Sequence, residues 1–323
     1  MRKDTIINQM NAYGKQRIPF LFVIDFAMKS PKLFTLNEIS TQEILFDFNG
    51  FSNIKNRLTP KKELKFDKFP IPYHEYVEVY QKIRQQLLYG NSYLLNLTFE
   101  TPIQTNFTQE ELFHISHAKY KLLWKDQFVV FSPEIFVKIN NGIISSNPMK
   151  GTIDAAIKDA ESILKSDAKE FAEHCTIVDL IRNDISMVSK NVEVKRFGYT
   201  DYIKTHDKTL IQLSSEIAGT LASDYNEHLG DIIFSILPAG SVSGAPKQKT
   251  LEIINENETH KRDYYTGVMG YYDGENLDSA VMIRYIDFTK DIWTYKSGGG
   301  ITVNSNCLME YNEMIDKIYV PLI

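Results

Sequence analysis

An Asn-Gly pair between two apolar runs constrains the fold of this sequence more than any other feature. Residues 128–144 are rich in apolar and β-branched side chains, and Asn140, Asn141 and Gly142 interrupt them. Asn and Gly tolerate the positive φ angles of the tight turns that join antiparallel strands. The sequence therefore predicts a β-hairpin here, within a β-meander.

Periodicity predicts further strands and three helices. Strand-like runs lie at residues 20–24, 44–48, 93–99, 192–195, 211–217 and 282–288. Helical spacing covers residues 76–87, 167–181 and 308–320. Gly90 follows the first helix as a C-terminal stop, and Asp167 and Glu170 begin the second with the spacing of a capping box. The lysine-rich residues 61–68 are the best candidate linker.

The composition excludes several classes of protein. Of 323 residues, 43% are apolar, so the chain can bury an ample core and is not intrinsically disordered. The net charge is −5, and no basic stripe is present that would neutralise a nucleic-acid backbone. No apolar run suits a membrane span or signal peptide, and Cys175 and Cys307 form neither a disulfide framework nor a metal knuckle. We therefore expect a cytoplasmic protein without nucleic-acid or membrane partners.

Two predicted helices each carry a pair of acids three residues apart. Glu170 and Glu173 lie on one helix, and Glu310 and Glu313 lie on the other, followed by Lys317. Side chains at this spacing share a helix face, and carboxylate oxygens suit a hard cation such as Mg²⁺. The solvated faces of two amphipathic helices explain the same spacing, so spacing alone leaves both interpretations open.

Glycine-rich stretches and one lysine are further candidates. The stretches cover residues 240–247, 267–270 and 298–300, and none matches a nucleotide fingerprint. They allow close approach of a small anion to the backbone, or they are ordinary turns. Lys150, between Met149 and Gly151, is either a nucleophilic amine or a surface lysine. His174 is best explained as a structural side chain.

Taken in order, these segments resemble the chorismate-utilising enzymes, a family that includes anthranilate, aminodeoxychorismate, isochorismate and salicylate synthases. The resemblance is carried by residues 132–134, 148–152, 170–184, 238–247, 267–271, 283–284, 298–300 and 310–317. It implies an α+β fold in which two antiparallel β-sheets pack as a sandwich with helices on the outside. The site is expected in a cleft between the sheets.

The resemblance also implies a single interleaved unit, although the length alone allows two domains. Residues 1–70 are expected to be an abbreviated form of the family's variable N-terminal part and to consist of short strands. Residues 71–323 are expected to form the chorismate-binding catalytic region.

For the acids, the resemblance implies a magnesium site. Glu173 and Glu313 are expected to bind Mg²⁺ directly, with Glu170 and Glu310 acting through water. The metal is expected to hold the ring carboxylate of chorismate.

For the substrate, the resemblance implies a set of anion contacts. Arg284 and Tyr271 are expected to bind the carboxylate of the enolpyruvyl group, and the planar guanidinium suits this task. The other expected contacts are Ser241, Gly298, Gly299, Gly300 and Lys317.

Lys150 distinguishes the branches of the family. Aminodeoxychorismate synthases resemble this sequence in having lysine at that position, whereas the other members have alanine. The implied reaction is attack of Lys150 on C2 of chorismate with loss of the C4 hydroxyl, followed by attack of ammonia on C4. Glu134 is the implied general acid, and the expected product is 4-amino-4-deoxychorismate.

Two positions depart from the family pattern. Gln212 replaces a histidine that acts as a base, and a neutral amide only forms hydrogen bonds; His206 lies six residues upstream. Leu94 stands where water-adding members have lysine and ammonia-adding members have glutamine. Alternatives therefore stay open: an anthranilate synthase component I, or a catalytically silent binding homologue. Because no G-x-C-x-G-like elbow is present, the resemblance implies a separate glutamine amidotransferase subunit as the source of ammonia.

Overall fold

Two antiparallel β-sheets form the centre of the molecule. The computed structural model describes residues 2–204 and 209–322, the ranges to which the following description applies. The helices are α1 (Lys3–Lys15), α2 (Tyr73–Leu88), α3 (Gln109–Ile115), α4 (Ala160–Ser166), α5 (Ala168–Ser186), α6 (Leu229–Ser235), α7 (Gly240–Ser243), α8 (Lys247–Asn257) and α9 (Cys307–Asp316). The strands are β1 (Phe20–Ile24), β2 (Lys32–Thr35), β3 (Ile44–Phe48), β4 (Phe51–Ser52), β5 (Phe66–Lys68), β6 (Leu94–Thr105), β7 (Tyr120–Trp124), β8 (Phe128–Ser132), β9 (Ile135–Asn140), β10 (Ile143–Ser146), β11 (Met149–Asp154), β12 (Lys190–Lys204), β13 (Thr209–Thr220), β14 (Gly244–Ala245), β15 (Val268–Tyr272), β16 (Leu277–Val281), β17 (Tyr285–Asp287) and β18 (Thr294–Ile301).

The strand order interleaves distant parts of the chain. The first sheet has the order β11-β13-β10-β9-β16-β15-β1-β2, with β12 also paired to β13. The second sheet has the order β14-β6-β18-β17-β8-β7-β3-β4, with β5 also paired to β6. Strands from residues 20–52 therefore form hydrogen bonds within both sheets, β1 with β15 and β3 with β7.

The core has the layers of a sandwich. Between the sheets, Val23 and Met269 of the first pack with Phe46 and Tyr120 of the second, all at 3% exposure or less. On the outer face of the first sheet lie α1, α5 and α6, whose buried residues share one cluster with β1 and β15. On the outer face of the second sheet, α2, α8 and α9 pack against β6 and β18. This arrangement confirms the predicted fold class.

Most of the predicted elements are present. The hairpin between β9 and β10 turns at Asn141 and Gly142, both at positive φ, as the Asn-Gly pair predicts. The expectation of short strands in the first seventy residues missed α1, which buries Ile6, Met10 and Gly14 on one face. Its few apolar residues give a weak helical pattern. Within the described residues, no helix is both long and apolar enough to cross a membrane.

Candidate active site

The chain crosses between the sheets at two places that contain predicted site residues. Glu134 lies between β8 of the second sheet and β9 of the first, and Arg284 lies between β16 and β17. The amide of Val281 donates to the carbonyl of Glu134 at 3.1 Å, and the amide of Phe131 donates to the carbonyl of Arg284 at 3.0 Å. Arg284 has φ 56°, an uncommon value for a side chain of its size. Backbone hydrogen bonds thus connect the two crossings.

A β-bulge directs Lys150. The pairing of β11 with β13 shifts register between Lys150 and Thr152, and Gly151 between them has φ 65°. Such a bulge adds a residue and re-aims the neighbouring side chain. A methyl group on Gly151 would lie 2.8 Å from Leu164 Cδ1 and 3.2 Å from Glu170 Oε2. Both the backbone angle and the crowding therefore require glycine after the lysine.

The ammonium of Lys150 lies between an acid and an apolar side chain. Its Nζ donates to Glu173 Oε2 at 3.3 Å, and the two side chains are 23% and 8% exposed. A methyl group on Gly300 would lie 3.1 Å from both Lys150 Nζ and Leu94 Cδ1. The absence of a side chain on Gly300 therefore leaves room for the lysine of one sheet to reach the other.

A second lysine, Lys317, directly follows α9. Lys317 Nζ pairs with Glu313 Oε1 at 2.5 Å and donates to the carbonyl of Gly298 at 3.0 Å. Burial lowers the pKa of the Lys317 ammonium, and Glu313 opposes this shift. A methyl group on Gly299 would lie between 3.5 and 3.7 Å from Glu313 Oε1, Lys317 Nζ and Glu310 Oε2. The polar ends of these three side chains thus converge over one glycine.

The glycines of β18 lie where the sheet opens. Residues 298–300 pair with β6, but the pairing with β17 ends at Lys296. Successive amides of an antiparallel strand point to opposite edges, so some are used by β6 and others are directed to the open edge. Only part of this backbone is therefore available for the expected anion contact.

Glu134 has the environment of an acid that keeps its proton. Burial raises the pKa of its carboxyl group, against the effects of a hydrogen bond from Ser241 Oγ and of Lys150, Arg284 and Lys317. A carboxyl group with a raised pKa stays protonated closer to neutral pH. Glu134 therefore has a property needed by a general acid.

The structure does not bring Tyr271 to Arg284. The Tyr271 ring stacks on Phe51, with ring centres 4.2 Å apart, within the core between the sheets. A different tyrosine, Tyr265, lies within electrostatic range of both Arg284 and Glu134, and burial raises the pKa of its phenol. Sequence reasoning missed Tyr265, which lies two residues before the motif at residues 267–271 that contains Tyr271.

The four predicted metal-binding acids lie around the glycine strand and the bulge. Glu173 and Glu313 are ion-paired with lysines, Glu310 is 2% exposed, and Glu170 borders Gly151. Among the described residues, no three His, Cys, Asp or Glu side chains form a ready-made metal cluster. Mg²⁺ keeps several waters and often takes only one or two carboxylates together with a substrate. The donor chemistry therefore fits Mg²⁺ bound jointly with an anionic substrate.

The position of the family's histidine offers no base. Gln212 pairs with Thr152 beside the bulge, and His206 lies outside the described residues. His174 is fully buried and forms a 2.7 Å hydrogen bond with Ser215 Oγ. Burial lowers the pKa of His174 to about 4, with a smaller effect of Lys150 in the same direction. His174 is therefore neutral near pH 7.

The fold is a sandwich of two antiparallel sheets, and charged side chains converge close to the crossings between them. A family model described as chorismate binding enzyme matches residues 32–322. Because the match covers most of the chain, this protein belongs to that family, as its motifs predict.

Individual relatives are consistent with this assignment. The chain is 48% identical over 318 residues to an "Uncharacterized PabA-like protein" of Haemophilus influenzae, covering 98% of this chain and 96% of that protein. It is 31% identical to the aminodeoxychorismate synthase component 1 of Salmonella typhimurium, covering 76% and 56%. The structure of anthranilate synthase component I from Streptococcus pneumoniae superposes with a TM-score of 0.65 at 28% identity, covering 81% and 59%.

Proposed function

We propose that this protein is the chorismate-aminating component of an aminodeoxychorismate synthase. The observation that carries the proposal is the position of Lys150, whose amine lies against Gly300 and beside Glu173. Arg284 and Lys317 lie close enough to affect the pKa of Glu134, and together they provide positive charge for a dicarboxylate such as chorismate. A nucleophile held next to such an anion site is positioned for covalent catalysis.

The proposed reaction consists of two balanced substitutions. The neutral amine of Lys150 forms a bond to C2 of chorismate, both ring double bonds shift toward C4, and the C4–O bond breaks. Glu134 donates its proton to the departing hydroxyl, which leaves as water. Ammonia then forms a bond to C4, both double bonds shift back, and the lysine nitrogen leaves C2 as a neutral amine. The ammonium group formed at C4 returns a proton to Glu134. The net change replaces OH by NH2 and regenerates both Lys150 and Glu134.

Binding groups surround these two residues. Arg284 would bind the enolpyruvyl carboxylate through its planar fork, and Ser241 and Lys317 would add polar contacts. Glu173 and Glu313, with Glu170 and Glu310 nearby, would hold Mg²⁺. When bound, the metal supplies positive charge for the ring carboxylate.

We propose that ammonia comes from a partner. The sequence has no glutaminase elbow, and one relative is named as component 1 of its synthase. A separate glutamine amidotransferase subunit would therefore supply ammonia. The isolated chain is expected to use ammonium salts but not glutamine.

The test is product analysis. Chorismate, ammonium and Mg²⁺ are incubated with the protein, and mass spectrometry should find a product in which NH2 replaces OH. Aminodeoxychorismate lyase should convert it to 4-aminobenzoate. Lys150→Ala should form no product, whereas the exposed lysine variant Lys158→Ala should match the wild type. Full activity of Lys150→Ala would exclude the covalent route.

Two alternatives give other outcomes in the same assay. An anthranilate synthase component I would release pyruvate and 2-aminobenzoate directly; the structural match to such an enzyme supports this candidate. A silent homologue, supported by Gln212 in place of histidine, would leave chorismate unchanged. Leu94 disfavours addition of water, because leucine cannot abstract a proton.

A further inference from the structure

The segment that follows α9 contacts the guanidinium of Arg284. Arg284 Nε donates to Tyr319 Oη at 3.3 Å, and the guanidinium carbon lies 5.2 Å from the centre of the Tyr319 ring. Both a hydrogen bond and a cation–π contact therefore act on one group. The Tyr319 side chain is itself 43% exposed, so it is not held there by deep burial.

The backbone on either side of Tyr319 is firmly fixed. Its carbonyl accepts from Tyr295 Oη at 3.0 Å, and the carbonyl of Pro321 accepts from the amide of His117 at 2.7 Å. Ile318 and Val320 are 2% and 6% exposed and pack into the outer core of the second sheet. The segment therefore presents the tyrosine from a rigid base.

Arg284 needs such support. Its backbone lies at φ 56° in the connection between two sheets, and its long side chain has several rotatable bonds whose freedom is costly to lose on binding. Lys317, two residues before Tyr319, is fixed by Glu313 and by the carbonyl of Gly298. One short stretch of chain thus orders two cations of the cleft.

We propose that Tyr319 is a positioning residue that holds the Arg284 guanidinium ready for a substrate carboxylate. The inference rests on the proposed function, since it assigns the carboxylate to chorismate. Because Tyr319 fixes the guanidinium before chorismate binds, Arg284 loses less side-chain conformational entropy on binding. Its effect should therefore fall on substrate binding and not on the chemical step.

The experiment is a double-mutant cycle measured by steady-state kinetics and by calorimetric titration with chorismate. Tyr319→Phe keeps the ring and removes the hydroxyl, and it should raise KM and Kd about threefold with kcat unchanged. Tyr319→Ala removes both contacts and should raise them about tenfold. In an Arg284→Lys background, which lacks Nε–H, Tyr319→Phe should have no further effect.

Val320→Ala is the matched control. It loosens the packing of the same segment without touching the guanidinium, so it should lower Tm but leave KM within about twofold of the wild type. An effect of Tyr319→Phe on kcat alone, or one that persists unchanged in Arg284→Lys, would overturn the inference. So would an equal rise of KM in Val320→Ala.

The two proposals fail in different ways. A wild-type protein that binds chorismate but forms no aminated product refutes the proposed function, while the calorimetric cycle still decides the role of Tyr319. A wild-type protein that does not bind chorismate refutes both. Normal turnover with additive effects of the Arg284 and Tyr319 changes refutes only the positioning role.

Discussion

The two lysines of the cleft, Lys150 and Lys317, each pair with a glutamate from a helix, yet their ammonium groups are held differently. Lys317 makes a 2.5 Å ion pair with Glu313 and a 3.0 Å hydrogen bond to the carbonyl of Gly298. Lys150 pairs with Glu173 at 3.3 Å from a bulged strand. The shorter and doubled contacts of Lys317 favour its charged form against the effect of burial, which suits the anion contact proposed for it. The single, longer contact of Lys150 holds its amine less tightly, which suits the nucleophile proposed for it.

The sharpest test of this difference compares Lys150→Ala with Lys317→Ala. Loss of the proposed nucleophile should lower kcat at least about a thousandfold with little change in chorismate Kd. Loss of the proposed anion contact should raise KM about tenfold or more and lower kcat less. Steady-state kinetics and calorimetric binding separate the two. Equal losses of kcat in both variants would show that the lysines do not divide these roles.

Glu134, the proposed general acid, provides a second test of the roles proposed for the two lysines. Glu134→Gln should lower kcat about 10²- to 10⁴-fold, because the amide donates no proton to the leaving hydroxyl. Wild-type activity should fall as pH rises through the raised pKa of Glu134, and the variant should lose that part of the profile. The pH dependence of kcat measures both.

The pH dependence of thermal stability gives a second test of the raised pKa of Glu134. Because its folded-state pKa is raised, ionisation destabilises the fold as pH rises above the ordinary carboxyl pKa. Glu134→Gln should therefore unfold at a higher temperature than the wild type at pH 7, and the difference should vanish in acid. A lower Tm at pH 7 would contradict this.

Substitution of Gly151 and of Gly299 tests the backbone next to Lys150 and next to Lys317. Gly151→Ala places a methyl group at positive φ and 2.8 Å from Leu164 Cδ1, so it should lower the free energy of unfolding by about 2 kcal/mol or more. Gly299→Ala makes only contacts of 3.5 Å or longer and should fold normally. Its methyl group should instead fill space above β18 and weaken chorismate binding. Chemical denaturation and calorimetry measure the two effects, and a stable Gly151→Ala would contradict the need for the bulge.

The effect that is smallest at neutral pH concerns acid stability on the Lys150 side. His174 has a folded-state pKa of about 4, below its unfolded value, so folding requires the neutral ring. Stability should be complete above about pH 6.5 and fall as pH drops toward 4, by up to about 3 kcal/mol. His174→Gln should flatten this slope in denaturation curves measured between these pH values. The exposed variant His228→Gln is the control, and an unchanged slope in His174→Gln would refute the assignment.

The sequence predicts the elements of this molecule better than their connections. The Asn-Gly hairpin and the helix that ends before Gly90 depend on local chemistry, and both are present. The predicted strand over residues 282–288 is interrupted, because Arg284 lies at positive φ where the chain changes sheets. That angle depends on hydrogen bonds with residues far along the chain, which no local pattern reports.

The candidate site shows the same limit. The motifs predict Lys150 and Glu134, and the structure brings them into one electrostatic environment. Tyr271 was expected beside Arg284, but alternation along β15 directs its ring into the core between the sheets. Tyr265, which precedes β15, is the tyrosine of this segment that lies within electrostatic range of Arg284. The role of either tyrosine stays a prediction.

The paired hydrogen bonds between the two crossings have a consequence for how such a protein diversifies. They make the spacing between Glu134 and Arg284 a property of the main chain, independent of the side chains around it. Any descendant that keeps the crossings inherits an acid and a cation at a fixed separation. Under the proposed function, exchange of the residue before the bulge glycine would change the reaction while the scaffold is inherited intact.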